Sequence, residues 1–243
     1  MWCRDLMITR SKANSRVSLR TKKSVVNRTD HYATWGKRIF DIAFASIVLT
    51  VFLPLYLAIA LIVSMSSRGS VLYVHSRVGL NGSKFNCIKF RTMIHGADQV
   101  LEDYLNSCPI SRAEYEASFK LKHDPRITRI GKFLRTTSLD ELPQFWNVLV
   151  GDMSVVGPRP LVQSELSKYG SAIDKVLSVR PGIAGLWQVS GRNDIPYAKR
   201  VQIDASYVRL MSFWLDISLI FKTILVVVFP RGNGAYPRGN GAY

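Results

Sequence analysis

Ile42-Ala-Phe-Ala-Ser-Ile-Val-Leu-Thr-Val-Phe-Leu-Pro54-Leu-Tyr-Leu-Ala-Ile-Ala-Leu-Ile-Val-Ser-Met-Ser-Ser67 is a run of 26 residues without one charged side chain. About 20 apolar helical residues cross the hydrocarbon of a bilayer, so the run reads as a membrane segment. It is too long for the apolar region of a cleaved leader, and no small-x-small site follows it. Pro54 divides it. Inside a helix this proline deletes one hydrogen bond and clashes with the carbonyl of Thr50. Unbroken, the helix would be about 39 Å long, more than the roughly 30 Å of hydrocarbon; broken at Pro54, each arm reaches only about 20 Å. Lys37 and Arg38 precede the run, and Arg68, Arg77, Lys84, Lys89 and Arg91 follow it. A single span expects unequal positive flanks. Basic residues on both sides favour a re-entrant helical hairpin with both ends on the cytoplasmic face. A straight span is the alternative, because proline is tolerated in true spans.

Upstream, ten Lys or Arg against Asp5 and Asp30 fall within residues 1–38 of a 243-residue chain whose formal net charge is +16. Such a balance suits nucleic acid, an anionic membrane face or phosphate-bearing substrates. No nucleic acid partner is expected: the arm offers only Trp2, Tyr32 and Trp35 for stacking, and no finger, RNP-like or zipper pattern follows. Residues 1–34 read as a basic, disordered arm, since their polarity leaves nothing to pack. Cys3, Cys87 and Cys108 are odd in number and lack metal spacing, which argues against a disulfide framework and for a reducing compartment. His31, His75, His95 and His123 include no i, i+4 pair, which argues against zinc.

Downstream the chain turns polar. Val71–Val74 reads as a short strand, and Asn81-Gly82 is a hairpin turn signal. Lys84–Arg91 alternates, placing Phe85, Cys87, Lys89 and Arg91 on one face and Asn86, Ile88 and Phe90 on the other. Those two cations either reach a site or solvate an exposed face. Residues 97–122 read as amphipathic helix interrupted near Cys108-Pro109, and Asp124-Pro125 as a turn. Helical spacing gathers Arg129, Lys132 and Arg135 toward one side.

Next comes Arg135-Thr-Thr-Ser-Leu-Asp-Glu-Leu-Pro-Gln144, with the adjacent carboxylates Asp140 and Glu141 at an expected helix start. Ser138-Leu-Asp-Glu141 fits a capping box, with the serine on the helix and the glutamate reaching back. A helix start is also where phosphate binds best, so the pair suits phosphate chemistry too. In Val156-Gly-Pro-Arg-Pro160, Pro158 and Pro160 hold Arg159 extended, which suits a guanidinium for bidentate phosphate contact; a plain turn is the alternative. Val179–Arg192 is glycine-rich, carries Arg180 and Arg192, and matches no dinucleotide or P-loop fingerprint. Residues 194–209 read as a helix. Residues 213–229 read as an apolar helix at a membrane interface or packed on the domain. Pro-Arg-Gly-Asn-Gly-Ala-Tyr occurs twice, at 230–236 and 237–243, and reads as a flexible tail.

Six motifs, in order, resemble the bacterial sugar transferases, the monotopic polyprenyl-phosphate phosphoglycosyl transferases. They are Lys89-Phe-Arg-Thr-Met93, Ser138-Leu-Asp-Glu-Leu-Pro-Gln144, Asn147 with Gly151-Asp-Met-Ser154, Val156-Gly-Pro-Arg-Pro160, Arg180-Pro-Gly182 and Gly185-Leu-Trp-Gln-Val-Ser-Gly-Arg192. The resemblance spans about residues 35–229 and is nearest to the short enzymes that start succinoglycan-type exopolysaccharide. One departure is Leu53-Pro54, where many members carry Ser-Pro; the duplicated terminal heptad is another.

The resemblance implies an α+β fold: a membrane re-entrant helix over residues 35–68, then a compact, mainly helical cytosolic phosphoglycosyl transferase domain with a small sheet over 69–229. It implies transfer of a sugar-1-phosphate, galactose or glucose, from a UDP-sugar to undecaprenyl phosphate with release of UMP. Asp140 would be the nucleophile and Glu141 the second member, helping with proton handling or magnesium, with Asp140 and Glu141 as the ligands of Mg²⁺. Lys89, Arg91, Arg135, Pro158, Arg159, Pro160, Arg180, Gln188 and Arg192 would bind substrate. The implied location is the bacterial inner membrane, facing the cytoplasm among its lipids and other polysaccharide-assembly enzymes. The competing reading is a non-catalytic, membrane-anchored scaffold.

Overall fold

The computed structural model describes residues 35–118, 121, 123–190 and 195–228. The basic arm, Arg192 and the repeated tail lie outside the described residues. What is described is mostly helical, with two separate two-stranded sheets rather than one.

The apolar run forms α1 (Lys37–Val51) and α2 (Leu53–Ser66), which meet at Phe52 with a bend of 62°. The break comes two residues before Pro54, which then occupies the first turn of α2, where its missing amide costs nothing. No single described helix is long and apolar enough to cross a membrane. Ile39, Ile47, Val51, Leu57, Leu61 and Met65 are exposed along the pair.

The inner faces of the pair are fixed to the rest of the protein. Lys37 Nζ donates to Asp216 Oδ2 at 2.5 Å, and Arg38 donates to the carbonyls of Val148 and Leu149 at 2.6 and 2.9 Å. Asp41 Oδ1 accepts from Ser154 Oγ and from the Val155 amide. On α2, Ile59 and Val63 pack with Phe90 and Leu134.

Strands β1 (Leu72–Val78) and β2 (Lys84–Phe90) form an antiparallel hairpin, so β1 runs four residues beyond the expected strand. Its loop turns through Asn81 (φ 55°) and Gly82 (φ 79°), the left-handed conformations that Asn-Gly supplies. Helices α3 (Ala97–Ser107) and α4 (Pro109–Ser118) break at Cys108 as expected. Next come α5 (Arg129–Thr137), a single 3₁₀ turn (Leu139–Glu141) and α6 (Gln144–Val150). Strand β3 (Ser154–Val156) pairs in parallel with β4 (Gly182–Ala184), and between them lie a 3₁₀ segment (Gln163–Ala172) and α7 (Ile173–Val176). Helices α8 (Leu186–Val189), α9 (Tyr197–Leu210) and α10 (Phe213–Val228) complete the domain. Helix α10 is packed on it: Asp216 is fully buried and also accepts from Tyr207 Oη at 2.8 Å. Its outer residues Trp214, Phe221 and Leu225 remain exposed.

Candidate active site

The carboxylate pair sits where three elements converge. Helix α5 begins with Thr128, whose Oγ1 accepts from the Gly131 amide at 2.8 Å. Gly131 presses on the end of β2: a Cβ there would lie 1.9 Å from the Thr92 carbonyl oxygen. This close approach lets Arg135, one turn further on, donate Nε to Thr92 Oγ1 at 2.8 Å. Helix α5 then stops at Ser138, which adopts φ 58° and ψ 15°, a conformation rare for a residue with a Cβ.

That reversal corrects the expected capping box. Ser138 ends α5 and also stands at the start of the 3₁₀ turn, but in this left-handed conformation it makes no side-chain cap. Glu141 Oε1 accepts from Lys89 Nζ at 2.6 Å. Asp140 is 4% exposed, and Glu141 faces β2.

Helix α6 holds β2 in place. Asn147 accepts from the Ile88 amide at 3.0 Å and donates to the Asn86 carbonyl at 2.8 Å and to Asp152 Oδ2 at 3.2 Å. Its amide thus pairs with the strand as another strand would. From α2, Tyr56 Oη donates to the Leu142 carbonyl at 2.7 Å.

The Gly-Pro-Arg-Pro segment leaves β3 through a second close approach. A Cβ on Gly182 would lie 1.9 Å from the Gly157 nitrogen, and the Gly182 amide donates to the Pro158 carbonyl at 2.8 Å. Arg159 emerges with its guanidinium carbon 5.7 Å from the Trp187 ring centroid, within cation–π range.

These parts enclose an open cleft lined by Arg77, Cys87 and Lys89 of the β-hairpin, Glu141 and Gln144, Arg159 and Pro160, and Gln188 of α8. Gln188 Nε2 donates to the Ile183 carbonyl at 2.8 Å. Burial, and then the neighbouring Glu141 charge, push the Asp140 carboxyl up to about 7; Lys89 and Arg135 oppose the rise. Burial and Arg159 lower the Arg77 guanidinium pKa, and burial raises the Cys87 thiol.

Of the residues singled out from sequence, Lys89, Glu141, Arg159, Pro160 and Gln188 line this one cleft, and Asp140 and Arg135 are buried beside Glu141. Pro158 contributes its carbonyl to the β3–β4 pairing. Arg91 is elsewhere. Strand β2 ends at Phe90, and Arg91 turns to donate Nη2 to the Ser67 carbonyl at 2.5 Å, at the end of α2. Arg180 donates Nε to the Gly151 carbonyl at 2.7 Å, outside the cleft. Arg129 and Lys132 are exposed and do not join Arg135. Arg192 lies outside the described residues. Sequence reasoning missed Arg77 and Gln144. Extending the period-2 pattern back through Tyr73, His75 and Arg77 would have found the first.

A family model described as bacterial sugar transferase matches residues 32–230. The chain is 49% identical over 212 residues to a UDP-galactose-lipid carrier transferase of Erwinia amylovora, covering 86% of this chain and 43% of that protein. It is 50% identical over 198 residues to the exopolysaccharide production protein ExoY of Rhizobium meliloti, covering 82% of this chain and 88% of that protein. It is 47% identical over 218 residues to an undecaprenyl-phosphate galactose phosphotransferase of Salmonella typhimurium, covering 90% and 44% respectively. The chain therefore spans less than half of the first and third of these relatives, and most of the second.

Proposed function

The chain belongs to the bacterial sugar transferase family, and we propose that it transfers a hexose-1-phosphate, galactose or glucose, from a UDP-sugar to undecaprenyl phosphate at the cytoplasmic face of the inner membrane, beginning an exopolysaccharide repeat unit. The observation that carries this reading is a cleft lined by Glu141 and the cations Lys89, Arg77 and Arg159, with Asp140 buried next to Glu141.

Asp140 is the nucleophile. Its Oδ attacks the β-phosphorus of the UDP-sugar, the bond to the bridging oxygen breaks, and UMP departs with that electron pair. An oxygen of the lipid phosphate then attacks the same phosphorus and releases Asp140. Carboxylates are competent nucleophiles at phosphorus. The rest of the work is in-line placement and neutralisation of oxygen charge. Lys89 pairs with Glu141 and would stand beside the reacting phosphate, and Arg135, held by Thr92, lowers the cost of charging Asp140.

The donor set fits magnesium, which usually takes one or two protein carboxylates and completes its shell with water and substrate phosphate. Asp140 and Glu141 would hold it, since each raises the cost of ionising the other and a cation relieves that repulsion. When bound, it would neutralise phosphate oxygen charge.

The geometry of α1 and α2 supports a re-entrant membrane segment. Helices of 15 and 14 residues are each about 22 Å long. Bent by 62°, with both outer ends at one surface, they reach a depth of about 11 Å, less than half of the roughly 30 Å hydrocarbon. Lys37 near the start of α1 and Ser67 after α2 are both bonded to the same folded body.

The test is Mg²⁺-dependent UMP release from a panel of UDP-sugars with undecaprenyl phosphate as acceptor. The expected result is turnover with UDP-galactose or UDP-glucose, abolished by EDTA and by Asp140→Asn, with membrane association of the variant unchanged. Full activity of purified Asp140→Asn would sink the reading.

A further inference from the structure

Behind the cleft, α9 carries a polar face to which the proposed reaction assigns no part. Tyr197, Arg200 and Asp204 stand at i, i+3 and i+7, spacings that share one side of a helix. The Arg200 guanidinium carbon lies 5.2 Å from the Tyr197 ring centroid and 4.7 Å from that of Trp187. Trp187 is also the ring over which Arg159 stands, at 5.7 Å. One buried indole thus takes two guanidiniums, one from α9 and one that lines the cleft.

That ring is not oriented by its own polar edge. Trp187 Nε1 has no hydrogen-bond partner among the described residues, although a buried indole N–H usually finds one. Arg200 is not spent on a tight ion pair either. Its Nη1 lies 3.8 Å from Glu165 Oε1 and its Nε 4.0 Å from Asp204 Oδ2, both too long for hydrogen bonds. Ring stacking and longer-range charge therefore place this guanidinium. Asp204 is 1% exposed, and its Oδ2 accepts from Tyr169 Oη at 2.8 Å. Burial pushes the Asp204 carboxyl up to about 6, and the Tyr169 bond and the charges of Arg200 and Arg159 oppose the rise. Arg159 is thus near enough to Asp204 for their charges to interact. A buried carboxylate stripped of its cation is costly, so Asp204 without Arg200 would compete with the cleft for Arg159.

We propose that Arg200 is a positioning residue for Arg159: it steadies the Trp187 ring on which Arg159 stacks, and it occupies the Asp204 and Glu165 carboxylates that would otherwise draw the Arg159 guanidinium out of the cleft. This rests on the reading of the cleft as a phosphate site, and it gives a role to a residue outside the cleft lining. Lysine at position 200 would still neutralise both carboxylates and still serve the ring; glutamine would do neither.

The test needs binding rather than turnover. Full-length protein in detergent is titrated with pyrophosphate by calorimetry, with melting temperatures measured alongside. Loss of one charge-assisted contact weakens binding about tenfold or more, which is the effect expected of Arg159→Gln. Arg200→Gln is expected to lose most of that affinity and Arg200→Lys little of it. Arg200→Gln combined with Asp204→Asn is expected to regain part of the loss, because one competing anion is gone. In an Arg159→Gln background, Arg200→Gln adds nothing further, the non-additivity of residues that act through one another. If Arg200 only staples α9 to the 3₁₀ segment, its loss is the same in both backgrounds and follows the melting temperature. That result, or unchanged affinity in either Arg200→Gln or Arg159→Gln, would overturn the proposal. Should Arg200→Gln not fold, Trp187→Phe carries the same comparison with a smaller loss. UMP release from the wild-type protein judges the proposed reaction separately: the expected pyrophosphate results without UMP release would retain the positioning role and retire the reaction.

Discussion

At Asp140, burial and reactivity oppose each other. The side chain is almost fully enclosed, with Glu141 as its chain neighbour, and its carboxyl is pushed up to about 7. A nucleophile must be ionised. A carboxyl with a raised pKa is protonated below that value and charged above it, so kcat/KM rises with pH on the acid side, through a limb above the ordinary carboxylate range that Mg²⁺ on the pair would move to lower pH. The limb belongs to the coupled pair rather than to either carboxylate alone. Arg135 opposes the rise, so Arg135→Gln shifts the acid limb to higher pH, read from a pH–rate profile of the purified variant. A limb that stays in place would remove Arg135 from the electrostatics of the site. That the pair is a candidate for phosphate chemistry was legible from Ser138-Leu-Asp-Glu141, because adjacent carboxylates beside several cations suit it. How it is held was not. A serine at φ 58° breaks the local rule that made the capping box attractive, and tertiary contacts, chiefly Lys89, decide where Glu141 points.

Among the elements, β2 and α6 share their polar groups through one side chain. Asn147 is 2% exposed and satisfies both the Ile88 amide and the Asn86 carbonyl. Asn147→Ala leaves these strand groups unpaired and is expected to cost about 3 kcal/mol in chemical denaturation, at roughly 1–3 kcal/mol for each stranded buried group. Activity falls with it, because Lys89 rides on the same strand. An unaltered denaturation midpoint would contradict this role. The β-hairpin was readable from Asn81-Gly82 and period-2 alternation, and the α3–α4 break from Cys108-Pro109. Strands β3 and β4, three residues each, are too short to carry a period; their pairing depends on Gly157 and Gly182 meeting backbone to backbone. Arg91 was misplaced because alternation was carried one residue past the strand end, where Phe90 has already turned into the α2–α5 cluster.

For the whole molecule, the central relation is between the α1–α2 pair and the cleft. Tyr56 of α2 bonds the turn that follows Glu141, and Lys37, Arg38 and Asp41 bond α10, α6 and β3. On the proposed re-entrant insertion, the depth of the pair in a bilayer would therefore set the height of the cleft above the lipid phosphates. Pro54 and the uncharged run announced a broken apolar segment. The ties over 179 and 113 residues of sequence, Lys37–Asp216 and Asp41–Ser154, have no local pattern to announce them. With the native cysteines replaced, single cysteines at Trp35 and Ser70 are both expected to react with an impermeant maleimide from the cytoplasmic side only. Reaction from opposite faces would replace the re-entrant reading with a span. The most direct test of the account is mass analysis of the peptide carrying Asp140 after incubation with UDP-sugar and Mg²⁺ but no lipid acceptor. The account predicts a hexose-phosphate adduct on Asp140 with an equivalent of UMP released; UMP release that requires the acceptor, with no adduct at any time, would contradict it.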